Sequence, residues 1–132
     1  MYHLDTDITV YAINGRSPQA VARMQLSQPG DIAVSTIVVA ELEFAIAKSS
    51  RGARTADGIA RFLRPLQIVP FGESAAIEYG KLRAYLERTG QVIGAMDMLI
   101  AAIALAEDAT LVTNNVREFQ RVPGLRIENW NA

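Results

Sequence analysis

Asp5 and Asp7 follow directly on the first apolar residues of the chain, in "YHLDTDITVYAI" at 2–13. Glu41 and Glu43 interrupt the apolar stretch "STIVVAELEFAIAKS", and Asp97 is the only polar side chain between Gln91 and Glu107. An ionised carboxylate among apolar side chains is disfavoured unless a cation meets it. Acids gathered into one pocket need a counter-charge, and a donor set made only of oxygen selects hard cations, Mg²⁺ or Mn²⁺, over zinc. Such an ion activates a water and steadies the charge building on a phosphoryl oxygen, as in many enzymes that cut phosphodiesters.

Each acid also has a plainer role. Asp5 stands where a first strand hands over to a helix, so either Asp5 or Asp7 can cap that helix and leave the other free for chemistry. Asp97 opens a helix of Ala, Leu, Ile and Met, where an N-cap or a partner for the helix dipole would suffice. At 100° per residue Glu41 shares its stripe with Ile37, Val38, Phe44 and Ala45, and Glu43 lies among Val39, Ile46 and Ala47. Periodicity alone does not choose between them. Three independent caps nevertheless account poorly for three acids arriving at one place. Cysteine is absent and His3 is the only histidine, so a zinc site, a Cys nucleophile and a Ser-His-Asp triad all lack parts. His3 reads as an ordinary strand side chain.

The elements that must position these acids follow from the hydropathy pattern. Short apolar runs at 2–4, 32–35, 67–70, 110–113 and 125–129 read as strands. Helical patterns lie near 7–13, 18–27, 36–48, 54–64, 73–89, 95–107 and 115–120. Gly90 reads as a helix stop and Pro123-Gly124 as a turn. Alternation of this kind predicts an α/β fold, a parallel sheet of about five strands sandwiched between helices in one domain spanning residues 1–132. In such sheets ligands bind beyond the carboxyl ends of the strands, and Asp5 falls at one of those ends.

Half of the 132 residues are apolar, enough for one core without disulfides. The N-terminus lacks a signal-peptide pattern and the longest apolar run, "MLIAAIALA", is too short to span a bilayer. A soluble cytoplasmic protein is expected, with no membrane partner. The net charge of −1 conceals a distribution: with three of the 14 acids withdrawn into a pocket, 11 face 13 bases. The excess is clearest in "KSSRGARTADGIARFLR", where Lys48, Arg51, Arg54, Arg61 and Arg64 meet only Asp57. An RNA-contacting rim formed by Lys48, Arg51 and Arg54 and a merely solvated helix face explain it equally well.

Four blocks, "HLDTDITVYAI", "STIVVAELEFAIAKS", "GAMDMLIAAIALAED" and "LVTNNVREFQRVPGLRIENW", resemble in order and spacing the signatures of PIN-domain ribonucleases, specifically the VapC toxins of type II toxin–antitoxin systems. The resemblance covers nearly the whole chain. It implies that Asp5, Glu41 and Asp97 are catalytic acids, with Asp5 and Asp97 as metal ligands, and it selects Glu41 over Glu43. The fourth acidic position of that pattern is here the neutral Asn115, a departure that should weaken a second metal. Glu118, one helical turn on, could compensate, although an exposed Glu is the simpler reading. Thr6, Asp7 and Thr113 are expected beside the carboxylates, orienting them. The resemblance further implies a Mg²⁺-dependent endoribonuclease (Mn²⁺ substituting) that cuts structured RNA, commonly tRNA and here resembling the toxins that cut initiator tRNA in its anticodon loop. It implies a homodimer held inactive by a VapB-type antitoxin. The aromatics are few and scattered, with no stacking platform visible, which favours recognition by shape.

Two rival readings remain. "DTDIT" also fits the D-x-D-x-T motif of haloacid-dehalogenase-like phosphatases, with Asp5 as nucleophile, Asp7 as general acid and Ser35 or Thr36 holding the phosphate. The neutral Asn115 would also suit a PIN-like module that binds RNA or a protein without cutting.

Overall fold

β-Branched and apolar runs form the middle of the sheet. The computed structural model describes residues 1–132, apart from the side chain of Pro29. The chain begins β1 (Tyr2–Leu4), α1 (Thr6–Ile13), α2 (Pro18–Gln25) and a 3₁₀ turn before β2 (Ile32–Ser35). Next come α3 (Thr36–Lys48), α4 (Gly52–Leu63), β3 (Gln67–Val69), α5 (Glu73–Arg88) and α6 (Ala95–Ala106). It closes with β4 (Thr110–Val112), the single-turn α7 (Val116–Phe119) and β5 (Arg126–Glu128).

The five strands form one parallel sheet in the order β3-β2-β1-β4-β5. The direction of travel reverses at β1, so the crevice between β1 and β4 is the switch point at which such sheets bind ligands. Right-handed crossovers place α1 to α4 on one face and α5 to α7 on the other. Every residue of β2 is buried, as a strand covered on both faces requires. Ala101, Ala102 and Ala104 let α6 lie close in the core beside Leu111, Val112 and Phe119. Tyr2 meets Trp130 edge to face at 5.1 Å, and the Arg23 guanidinium lies 4.9 Å over the Trp130 ring, fastening the C-terminus to α2.

All the elements expected from the sequence are present, with shifted ends. α1 starts at Thr6 because Asp5 caps it, α2 stops at Gln25, and α4 starts at Gly52. The edge strands are short: β3 ends before Pro70, which cannot donate to a ladder. Gly90 and Gly124 take φ of +67° and +77°, the left-handed conformation their turns demand. His3 is a buried strand residue, 1% exposed. Burial, and then the positive N-terminus, lower its imidazole to about 4. Among the described residues no helix is long and apolar enough to cross a membrane.

Candidate functional site

Asp5 leaves β1 at the switch point. Its backbone N–H donates to Val112 O of the neighbouring β4 at 3.0 Å, so the residue is fixed before its side chain is considered. The carboxylate is 3% exposed. Oδ1 accepts from the Ile8 N–H at 2.9 Å and Oδ2 from the Thr113 hydroxyl at 2.5 Å. Asp5 is therefore the α1 cap and a site acid at once, which corrects the expectation that one acid would cap and the other be free. Asp7 is exposed in the first turn and does not cap. It acts on Asp5 only by its charge. Burial raises the Asp5 carboxyl to about 6, the hydrogen bonds from Thr113 and Ile8 oppose this, and the charges of Asp7 and Glu41 add to it.

Glu41 comes from the second turn of α3. The Thr6 hydroxyl donates to its Oε1 at 2.6 Å and so joins the start of α1 to α3. Glu43 is exposed to solvent, and the ambiguity that periodicity leaves is settled by which residue faces Thr6. Ser35 is 2% exposed and its Oγ accepts from the Val38 N–H at 3.2 Å, capping α3. At 2% exposure that hydroxyl serves the start of α3 and offers no open surface to the phosphate that the phosphatase reading places on it.

Asp97 is the third residue of α6, whose N-cap is Gly94, so it makes no cap. It lies against Glu118 of α7. Its carboxyl is raised to about 7, first by burial, then by the hydrogen bond and charge of Glu118, with Asp5 and Glu41 adding repulsion. Glu118 is half-buried rather than the solvated Glu expected of a short helix. Its Oε2 accepts from Asn115 Nδ2 at 3.0 Å, and the Asn115 N–H donates to Thr113 Oγ1 at 2.8 Å. One hydrogen-bonded network thus runs from Glu118 through Asn115 and Thr113 to Asp5, with Asp97 beside its Glu118 end. Sequence reasoning underrated Glu118, although its three-residue spacing from Asn115 is the signal that places both on one side of a single helical turn.

Lys48, Arg51 and Arg54 stand outside this network, exposed on the far part of α3 and on α4. Arg54 lines a shallow groove with Ala12 and Ile13, at the end of α1 opposite Asp5. A larger groove of about 490 Å³ adjoins it, walled by Val21, Met24, Ile32, Phe62 and Leu66 with Arg61 at its side.

The donor set fits a hard cation. All its groups are oxygens, and burial beside other acids disfavours the ionised forms of Asp5 and Asp97, a cost that a bound cation would relieve. No three Asp, Glu or His side chains among the described residues stand close enough to cage an ion alone. Mg²⁺ needs no such cage, since it is held by one or two carboxylates and keeps several waters.

A sheet ordered in this way, with Asp5 at the end of β1 and Glu41 and Asp97 brought toward it by α3 and α6, defines a class. The PIN domain family matches residues 2–125. Ribonuclease VapC2 of Rickettsia felis is 43% identical over 132 residues, covering 99% of this chain and 98% of the relative. The tRNA(fMet)-specific endonuclease VapC of Shigella flexneri is 34% identical over 130 residues, covering 98% of each. The crystal structure of VapBC2 from Rickettsia felis, bound to a DNA fragment from its promoter, superposes with a TM-score of 0.93 at 43% identity over 98% of both chains. The chain belongs to the PIN-domain family and, within it, to the VapC ribonucleases.

Proposed function

We propose that the chain is a metal-dependent endoribonuclease toxin that cuts a structured RNA, in the first place a tRNA, and so stops translation. The observation that carries this reading is the gathering of Asp5, Glu41, Asp97 and Glu118 in one crevice, where burial first, and neighbouring acids after it, raise the carboxyls of Asp5 and Asp97 to about 6 and about 7. Asp5, Glu41, Asp97 and Asn115 are the catalytic residues in this reading. Asp5 and Asp97 hold Mg²⁺, or Mn²⁺ in its place. Bound there, the ion activates a water and neutralises charge on the scissile phosphate.

The chain's own groups prepare for that. The Thr113 hydroxyl fixes Asp5 Oδ2 and the Thr6 hydroxyl fixes Glu41 Oε1, leaving the opposite carboxylate oxygen of Glu41 for a water. Burial and the neighbouring Glu118 favour the protonated form of Asp97, and a cation held there would favour the ionised one. Asn115 keeps Glu118 turned toward Asp97 through its amide.

The Shigella flexneri relative's specificity for tRNA(fMet) supports initiator tRNA as the substrate. The VapBC assembly of the Rickettsia felis relative supports a VapB-type antitoxin as partner. The apolar groove flanked by Arg61 suits an amphipathic segment of such a partner carrying acids at its edge. We assign the toxin form to a homodimer in the cytoplasm.

The test is incubation of purified, partner-free protein with total tRNA, with Mg²⁺ or Mn²⁺ and with EDTA, beside Asp97→Asn. A discrete fragment that needs metal and vanishes in the variant is expected. Metal uptake by calorimetry without cleavage of any RNA would favour the non-cutting module instead.

A further inference from the structure

One aromatic ring stands apart from the rest. Phe44 is 65% exposed, whereas the other large aromatic side chains are buried or half-buried. It follows Glu41 on α3 by three residues, about 4.5 Å along the helix axis, so it borders the carboxylate network. The Lys48 ammonium, one turn further on, lies 5.1 Å from the ring centroid. Among the described residues Lys48, Arg51, Arg54, Arg61 and Arg64 have no carboxylate within ion-pair distance; the same is true of Arg16, Arg88, Arg117 and Arg121, and what sets the first five apart is their clustering within residues 48–64. An exposed ring beside an unneutralised basic strip matches the pairing of stacking surface and phosphate charge that binds single-stranded nucleic acid.

We infer that Phe44 is an RNA-binding residue on which an unpaired base next to the cut stacks, with Lys48 meeting a flanking phosphate. The inference rests on the nuclease reading and deepens it, naming an unstacked base in a loop as part of what is recognised. A second copy of the chain is the weaker occupant. The exposed neighbours of Phe44 on α3 are Ala40, Glu43, Ala47 and Lys48, small or charged, not the contiguous apolar area a stable dimer buries.

The experiment uses the full chain carrying Asp97→Asn, so that RNA is bound and not consumed, with 3′-fluorescein-labelled bulk tRNA as probe. Phe44→Ala should weaken binding about fivefold or more while sedimentation velocity is unchanged. Phe44→Trp should keep the affinity, and its emission should be quenched by RNA, readable because Trp130 is the only other tryptophan and is 3% exposed. Lys48→Gln should flatten the dependence of log affinity on log salt by about one. Unchanged affinity in Phe44→Ala overturns the assignment. So does weakened binding accompanied by a smaller sedimenting species, which gives the ring to a second copy. Absence of tRNA binding by the Asp97→Asn chain overturns it as well, and the nuclease reading is then judged separately by wild-type cleavage of the same tRNA.

Discussion

Asp97→Asn should stabilise the metal-free protein at alkaline pH while abolishing its activity. In the folded chain the Asp97 carboxyl is raised from 3.8 to about 7. Between those values the folded chain holds a proton that the unfolded chain has released, so stability is full below about 4 and is lost as pH rises through about 7. The rise corresponds to at most about 4 kcal/mol. Asp97 is only partly buried, and solvent screening reduces the effect to about 1–2 kcal/mol. Asparagine has no proton to lose and can still donate to Glu118. For a chain of this size the expected gain in Tm at pH 8, in EDTA, is roughly 3–8 °C, and it should vanish at pH 4. His3, lowered to about 4, gives the opposite slope, but equally in both proteins, so it cancels in the difference. Thermal unfolding followed by circular dichroism at both pH values measures this. An equal gain at pH 4, or a loss at pH 8, would refute the reasoning; the loss would make Asp97 a stabilising charge near the N-terminus of α6.

Mg²⁺ should raise the Tm of wild type at pH 8, with little effect on Asp97→Asn, since binding stabilises only the state that holds the ion; a ligand-dependent thermal shift checks this. Asp5→Asn and Asp5→Ala should both be inactive, but Asn retains an acceptor for the Ile8 N–H and Ala does not. Urea unfolding should therefore find Ala less stable by about 1 kcal/mol. Thr113→Val removes the hydrogen bond that lowers Asp5, so the acidic limb of the pH–rate profile should move to higher pH, at a stability cost of about 1–3 kcal/mol. Asn115→Asp adds a charge beside Glu118 and should tighten metal binding in calorimetry while lowering metal-free stability at pH 8.

The sheet was legible in the sequence because parallel strands buried on both faces read as short apolar runs, such as "IAVS" at 32–35. Asp5 and Asp97 were legible as acids in costly places. Glu41 was not separable from Glu43 by periodicity, because α3 is apolar nearly all round; the family resemblance selected it, and in the structure it is Glu41 that meets Thr6 across the crevice while Glu43 is exposed. The double duty of Asp5 was hidden for a different reason. Capping is a local signal and site membership a non-local one, and nothing forbids a two-oxygen carboxylate from answering both. Glu118 was underrated because its burial depends on α6 packing beside α7, a tertiary contact without a local trace. Phe44 shares the stripe of Val38, which is fully buried, yet it is 65% exposed, a difference along one stripe that periodicity does not register.

The hydrogen bond between Thr113 and Asp5 joins residues 108 apart in sequence, and this has a temporal consequence. Closing so long a loop costs chain entropy that a single hydrogen bond does not repay. Thr113 can reach Asp5 only once β1 has paired with β4, which sets Leu4 beside Val112. The carboxylate therefore gains its partner late in folding, whereas its bond to the Ile8 N–H can form as soon as the first turn of α1 does.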